Sequence, residues 1–261
     1  MRLRVKTSIV LAILIIPAVL LGGWVFNVLI GAIALIGSME LLQMAKIDAK
    51  SFPSIVTYIG TLSIVYFQYI ANLVPNQLSD GIMPILAVLL LLVSTVMIRG
   101  FNFTKASISA MTMFYVGFGA QAAVVIREAD LAIFVFILLV IISTDIGAYF
   151  IGSKIGKRKL APLLSPNKSV EGFIGGIVVA LFMASIYLNF ITLPYSYFTM
   201  LFIAIILSIT GQFGDLLESA LKRHFEVKDS GSILPGHGGI LDRIDSILFI
   251  APFAYILLSL L

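Results

Sequence analysis

Cysteine is absent from the 261 residues. That excludes disulfides, thiolate metal sites and cysteine nucleophiles, and it leaves the redox compartment open. Charge is almost as scarce: only 11% of residues are Asp, Glu, Lys or Arg, against roughly 25% in a typical soluble domain. Too little polar surface exists to wrap a water-soluble core. Internal repeats and low-complexity segments are missing too. The basic start followed by an apolar run lacks a small-residue cleavage pattern, and a further apolar span follows at once, so it reads as a retained helix rather than a signal peptide.

Hydrophobicity fills the space that charge leaves. The chain is 60% hydrophobic with a mean hydropathy of +1.11, which places it among integral membrane proteins. Apolar stretches near the ~20 residues needed to cross a bilayer occur at about 7–22, 24–44, 54–74, 82–98, 107–126, 131–152, 172–190, 197–218 and 240–260. The expectation is an all-α polytopic protein of nine transmembrane helices with a cytoplasmic N-terminus. Gly22-Gly23 should close the first two helices into a hairpin. With this topology, of 17 basic residues only Arg127 lands outside, as the lysine and arginine bias of cytoplasmic loops requires. The net charge of +4 then reflects topology and anionic headgroups, and gives no argument for nucleic acid.

The chain divides in character near residue 130. Residues 1–130 read as packing and lipid-facing material with possible oligomer contacts, and Glu40, the one acid within the first five spans, reads as a side chain snorkelling to the interface. Residues 131–261 read as the catalytic region. Two long polar connections, 153–171 and 219–239, lie on the inside, and loops this long in a compact membrane protein are usually functional. Acids also enter the spans: Asp145, Asp215, Asp242 and Asp245. An acid at the bilayer centre costs about 2.5–3.5 kcal/mol on insertion scales, so four of them must line a wet cavity, pair with cations or hold metal.

The segment 215–246 reads DLLESALKRHFEVKDSGSILPGHGGILDRIDS. Asp215, Ser219 and Lys222 are spaced i, i+4, i+7 and share one helix face. Asp242 and Asp245 are i, i+3 neighbours at the start of the last helix. Its N-terminus, with Gly238 and Gly239 before it, offers backbone N–H groups to an anion. Carboxylates beside phosphate need hard divalent cations between them, and lysines and arginines neutralise the remainder. The combination suggests metal-assisted phosphoryl or nucleotidyl transfer. Blander readings stay open. His237 serves equally as a base, a phosphate donor or the pin of a tight turn. Lys222-Arg223 could complement the helix dipole, and Glu218 and Glu226 could be solvated or ion-paired.

Residues 219–245 resemble the signature of the phosphatidate cytidylyltransferase (CDP-diacylglycerol synthase) family. The matching positions are Ser219, Lys222-Arg223, Lys228-Asp229, His237-Gly238-Gly239, Asp242-Arg243 and Asp245. A second patch, 145–176, is similar to the family's other characteristic stretch through Asp145, Gly147, Tyr149, Leu160-Ala161-Pro162, Ser165-Pro166, Lys168 and Glu171-Gly172. Ser169 stands where threonine is common and Asn167 where lysine or glycine often occurs. The resemblance implies a Mg²⁺-dependent nucleotidyltransferase of phospholipid biosynthesis that converts CTP and phosphatidic acid into CDP-diacylglycerol and pyrophosphate. It also implies a homodimer in the cytoplasmic (inner) membrane whose cavity opens to the cytosol and to lipid.

The roles that follow are expectations from this resemblance. Asp215, Asp242 and Asp245 hold the cation centre, with room for a monovalent ion such as K⁺ beside Mg²⁺. Lys222, Arg223 and Lys228 hold phosphates, with Ser219, Asp229 and Arg243 beside them. His237, Gly238 and Gly239 shape an anion site at the last helix. Ser165, Asn167, Lys168 and Glu171 form a second polar wall that Asp145 orients. Two rivals remain: a CTP-dependent transferase acting on a polyprenol or ether lipid, and, from another class, a secondary transporter, for which intramembrane acids are also typical.

Overall fold

Apolar runs free of water must satisfy their backbone N–H and C=O groups internally, and the helix does so within one segment. The computed structural model describes residues 2–73, 81–236 and 238–261. Within them lie ten helices: α1 (Arg2–Leu21), α2 (Gly23–Met44), α3 (Phe52–Val65), α4 (Phe67–Leu73), α5 (Ile82–Met97), α6 (Phe103–Ala129), α7 (Leu131–Ile155), α8 (Val170–Phe190), α9 (Tyr197–His224) and α10 (Leu241–Ser259). Two short strands, β1 (Lys159–Ala161) and β2 (Ser165–Ser169), precede α8. Five helices, α2, α6, α7, α8 and α9, are long and apolar enough to cross a membrane, and Thr7–Leu21, Phe52–Val65 and Ile82–Met97 are shorter apolar helices.

The chain forms two compact units: residues 1–124 with 227–243, and residues 125–226 with 244–261. In the first unit, α1 turns into α2 through Gly22 (φ 65°) and Gly23 (φ 54°), a left-handed pair that glycine adopts without steric cost. The expected hairpin therefore forms, and α2 packs in turn on α3, and α3 on α5. The expected span 54–74 is broken at Tyr66, which ends α3 before α4 begins. Its hydroxyl donates to the Asn27 carbonyl of α2 (2.9 Å), while the Asn27 amide donates to the Tyr69 hydroxyl (2.7 Å). These two bonds hold the break against α2.

In the second unit, Asp130 caps α7 by accepting from the Ala132 and Ile133 amides (2.6 and 3.3 Å). Helix α7 then lies close along α8. A Cβ on Gly172 would sit 2.8 Å from the Ala148 carbonyl oxygen and 3.0 Å from Gly152 Cα, so the two backbones meet where small residues permit it. The connection 153–171, expected as a polar loop in an all-α protein, instead contains an antiparallel hairpin with Lys159 opposite Ser169 and Ala161 opposite Ser165. The hairpin closes because Val170 N donates to the Arg158 carbonyl (2.9 Å), and because Glu171 accepts from the amides of Lys157 (3.0 Å) and Arg158 (3.2 Å).

Candidate functional site

In the second unit, α7, α8, α9 and β2 surround a cavity of about 580 Å³. Asp145 and Tyr149 come from α7, Ser165, Asn167 and Lys168 from β2, and Gln212 and Asp215 from α9. The sequence had grouped Ser165, Asn167 and Lys168 into one polar wall, and the hairpin places all three on the cavity lining. Ser169, also on the lining, caps α8 by accepting from the Gly172 amide (3.1 Å). This is the work a threonine hydroxyl does equally well. Glu171 departs from the expectation. Its carboxylate is engaged by the Lys157 and Arg158 amides and does not line the cavity; it holds the base of the hairpin instead.

The charges in this unit are arranged around Asp215. Its carboxylate pairs with the Lys168 ammonium at 2.5 Å, and Asp145 lies within electrostatic reach of both. Helices α9 and α10 approach closely at Gly214, where a Cβ would stand 2.9 Å from Phe249 Cβ and 3.4 Å from the Asp245 carbonyl oxygen. That close crossing brings Asp245 into the field of Asp215, Asp145 and Lys222. Lys222 itself pairs with Glu218 one turn earlier at 2.5 Å, and Glu218 is only 3% exposed in its side chain. Ser219 is partly buried on the same helix, and Arg223 reaches the Leu164 carbonyl in the hairpin turn (3.5 Å). Four acids, two lysines and the cavity thus share one unit.

The first unit holds the remainder of the signature. Lys228, Asp229 and Arg243 are exposed. Asp242 Oδ2 accepts from the amides of Ser230 (3.0 Å) and Gly239 (2.9 Å). The amides at the start of α10 that the sequence offered to a phosphate are already donating: Gly239 to Asp242, and Ile240 and Leu241 to Glu40 at 3.0 and 2.8 Å. An external anion at Gly239 would have to displace a carboxylate, so the expected anion site on these amides is corrected. Gly238, at φ 83°, instead serves the turn by accepting from the Leu234 amide (3.0 Å). His237 lies outside the described residues. Glu40 is the residue that sequence reasoning misplaced. It is fully buried rather than snorkelling, and the signal available was its isolation as the single acid of five apolar spans.

A hard divalent cation suits this donor chemistry. Among the described residues no three carboxylates or histidines are gathered as a ready-made metal cage. Mg²⁺ needs no such cage, since it commonly takes one or two carboxylates and completes its shell with water and substrate phosphates. Asp215 and Asp245, on helices that approach closely at Gly214, are two carboxylates of that kind.

The model of the cytidylyltransferase family matches residues 2–261. The chain belongs to the cytidylyltransferase family. This family member is 45% identical over 272 residues to a phosphatidate cytidylyltransferase of Bacillus subtilis (strain 168), covering 100% of this chain and 98% of that protein. It is 40% identical over 258 residues to the protein of the same name from Staphylococcus saprophyticus, with 99% of each covered. With the Staphylococcus aureus (strain COL) phosphatidate cytidylyltransferase it shares 39% identity over 259 residues, again covering 99% of each. For this cytidylyltransferase the similarity therefore extends through both units.

Proposed function

We propose that this chain is a membrane-embedded phosphatidate cytidylyltransferase, which converts CTP and phosphatidic acid into CDP-diacylglycerol and pyrophosphate. The observation that carries this reading is end-to-end similarity, at 39–45% identity, to enzymes of that name. The cavity described above adds chemical support. A phosphate monoester oxygen of phosphatidic acid attacks the α-phosphorus of CTP. The new P–O bond forms as the bond from that phosphorus to the bridging oxygen of the β-phosphate breaks, and pyrophosphate leaves with the electron pair.

The nucleophile is already anionic, so the residues need to position and neutralise rather than remove a proton. Lys168, paired with Asp215 and within electrostatic reach of Asp145, is 25% exposed in its side chain, and it can transfer its ammonium from carboxylate to phosphate when substrate enters. Asn167 and Ser165 supply neutral hydrogen bonds on the same wall. Lys222, Arg223 and Lys228 counter the charge of triphosphate and lipid headgroup, with His237 as a further donor. Asp215 and Asp245 are the proposed cation ligands, while Asp242, whose Oδ2 accepts from the Ser230 and Gly239 amides, holds the loop. Bound there, Mg²⁺ supplies charge neutralisation of the triphosphate and of the departing pyrophosphate.

Nine spans, a cytoplasmic N-terminus, a cavity open to the cytosol, and a homodimer in the cytoplasmic membrane complete the proposal. The deciding experiment is an assay of purified protein with CTP, phosphatidic acid and Mg²⁺, following pyrophosphate release. Release should require all three components and stop on chelation with EDTA. Release with a polyprenol phosphate in place of phosphatidic acid would overturn the lipid assignment. Solute flux in proteoliposomes without consumption of CTP would overturn the enzyme reading.

A further inference from the structure

Glu40 is the one charged residue of α2, and none of its surface is exposed. Burying a carboxylate is costly unless hydrogen bonds and charge compensate it. Here both oxygens are engaged. Oε1 accepts from Ile240 N (3.0 Å), and Oε2 accepts from Leu241 N (2.8 Å) and from Ser230 Oγ (3.2 Å). The compensating groups are the first amides of α10, where the helix dipole also favours negative charge. They lie 190 to 201 residues away in sequence.

The same loop is closed from its own side. Ser230 Oγ accepts from Asp242 N (3.3 Å), while Asp242 Oδ2 accepts from Ser230 N and Gly239 N. Two carboxylates and one hydroxyl therefore bind the beginning of the loop, its end and the start of α10 into one network. The backbone comes close enough that a Cβ on Gly231 or Gly239 would run into the Glu40 carboxyl group. Lys228 and Asp229 immediately precede the anchored Ser230, and Asp242 and Arg243 immediately follow the anchored Leu241.

We infer that Glu40 is a positioning residue for catalysis: from α2 it fixes the loop that carries Lys228 and Asp229 and sets the start of the helix that carries Asp242 and Asp245. This rests on the functional reading above. Because Glu40 holds both ends of the loop at once, its loss leaves only the Asp242 and Ser230 bonds to join them, and the groups flanking each end lose their alignment. A misplacement of about 1 Å at a reacting centre can cost on the order of 10²-fold in rate.

Glu40→Gln retains the size of the side chain but turns an amino group toward a backbone N–H donor, whereas Glu40→Asp keeps the charge and withdraws it by one methylene. Ser230→Ala removes the hydroxyl that links Glu40 to Asp242. Ser38→Ala is the control, since Ser38 is equally buried in α2 but bonds only to Thr61 among the described partners (3.3 Å). Each purified variant is assayed for CTP- and phosphatidate-dependent pyrophosphate release, for thermal stability in detergent, and for amide hydrogen exchange across residues 228–243.

Glu40→Gln should lower kcat on the order of 10²-fold, with a smaller change in KM for CTP, and should speed exchange at Gly239 to Leu241. Ser230→Ala should fall between it and wild type, and the double variant should be no worse than Glu40→Gln alone. Ser38→Ala should lower stability and leave kcat unchanged. Wild-type kcat in Glu40→Gln, or identical behaviour of Glu40→Gln and Ser38→Ala, would overturn the inference. If Glu40→Gln does not fold, Ser230→Ala and Glu40→Asp decide by the same split between kcat and stability. A wild-type protein that releases no pyrophosphate sinks the functional reading instead, while the exchange rates at 239–241 still test the anchoring.

Discussion

Two lysine–carboxylate pairs with equal separations, 2.5 Å, have different consequences. Lys168 and Asp215 are 25% and 38% exposed in their side chains, and so open a pair contributes at most about 1 kcal/mol to stability. Asp215→Asn should therefore stay folded in detergent while CTP-dependent turnover falls on the order of 10²–10³-fold, the scale of removing one strong electrostatic contact from a reacting centre. Turnover near wild type would take Asp215 out of the cation site. Glu218 is different, because its carboxylate is buried. Lys222→Ala takes the ammonium away from that carboxylate, and breaking a buried pair on one side costs about 3–5 kcal/mol. It should lower thermal stability sharply as well as activity, and Glu218→Gln combined with Lys222→Met should recover stability without recovering turnover. Recovery of turnover too would show that Lys222 serves folding alone. The i, i+4 spacing made an ion pair legible in the sequence; the burial that changes its meaning comes from the surrounding helices.

Helix boundaries were legible almost to the residue where an apolar run ends in a capping group. Asp130 before α7 and Ser196 before α9 are such caps. They were less legible where a side chain from another element intervenes, as Tyr66 does when it reaches α2 and ends α3 early. The hairpin 159–169 was hidden for a related reason: its closure depends on Glu171, whose bonds run back across 13 and 14 residues. The sequence did single out Gly147 and Gly172 within the patch 145–176, and here element packing reaches the site directly. Asp145 lies on α7 and Lys168 just before α8, so the separation of these helices sets the width of the cavity. Gly172→Val places a branched side chain against the Ala148 carbonyl and Gly152 Cα, at contacts too short for any Cβ. Overpacking of this kind costs about 1–3 kcal/mol. The expected result is a lower unfolding temperature together with reduced turnover, and Gly172→Ala should show the same effects in weaker form. A Gly172→Val protein with full stability and activity would mean that α7 and α8 can part without disturbing the cavity.

For the whole molecule, the scarcity of charge that opened the sequence also supplies its test. Basic residues are concentrated in alternate connections, and in a nine-span arrangement with a cytoplasmic N-terminus every lysine and arginine except Arg127 faces inward. One missed or added span would invert everything after it, so the sidedness of a few positions fixes the count. The chain has no cysteine, and single cysteines can be introduced without a background signal. Suitable sites are exposed positions in or at the edge of five connections: Lys50, Gly100, Glu128, Arg158 and Thr192. Lys50→Cys, Gly100→Cys and Arg158→Cys should react with a membrane-impermeant maleimide only in inside-out vesicles. Glu128→Cys and Thr192→Cys should react in right-side-out vesicles, because Glu128 lies in the last turn of α6 and Thr192 in the link after α8. The three shorter apolar helices, Thr7–Leu21, Phe52–Val65 and Ile82–Met97, and the last helix, α10, are the ones at stake. If only the five longest helices cross, these five positions keep their relative sidedness, and Gly81→Cys before α5 decides: it labels from the outside in the nine-span arrangement and together with Lys50→Cys and Gly100→Cys otherwise. Labelling of Arg158→Cys from the outside would place the Lys168–Asp215 cavity away from cytosolic CTP, and with it the catalytic assignment would fail.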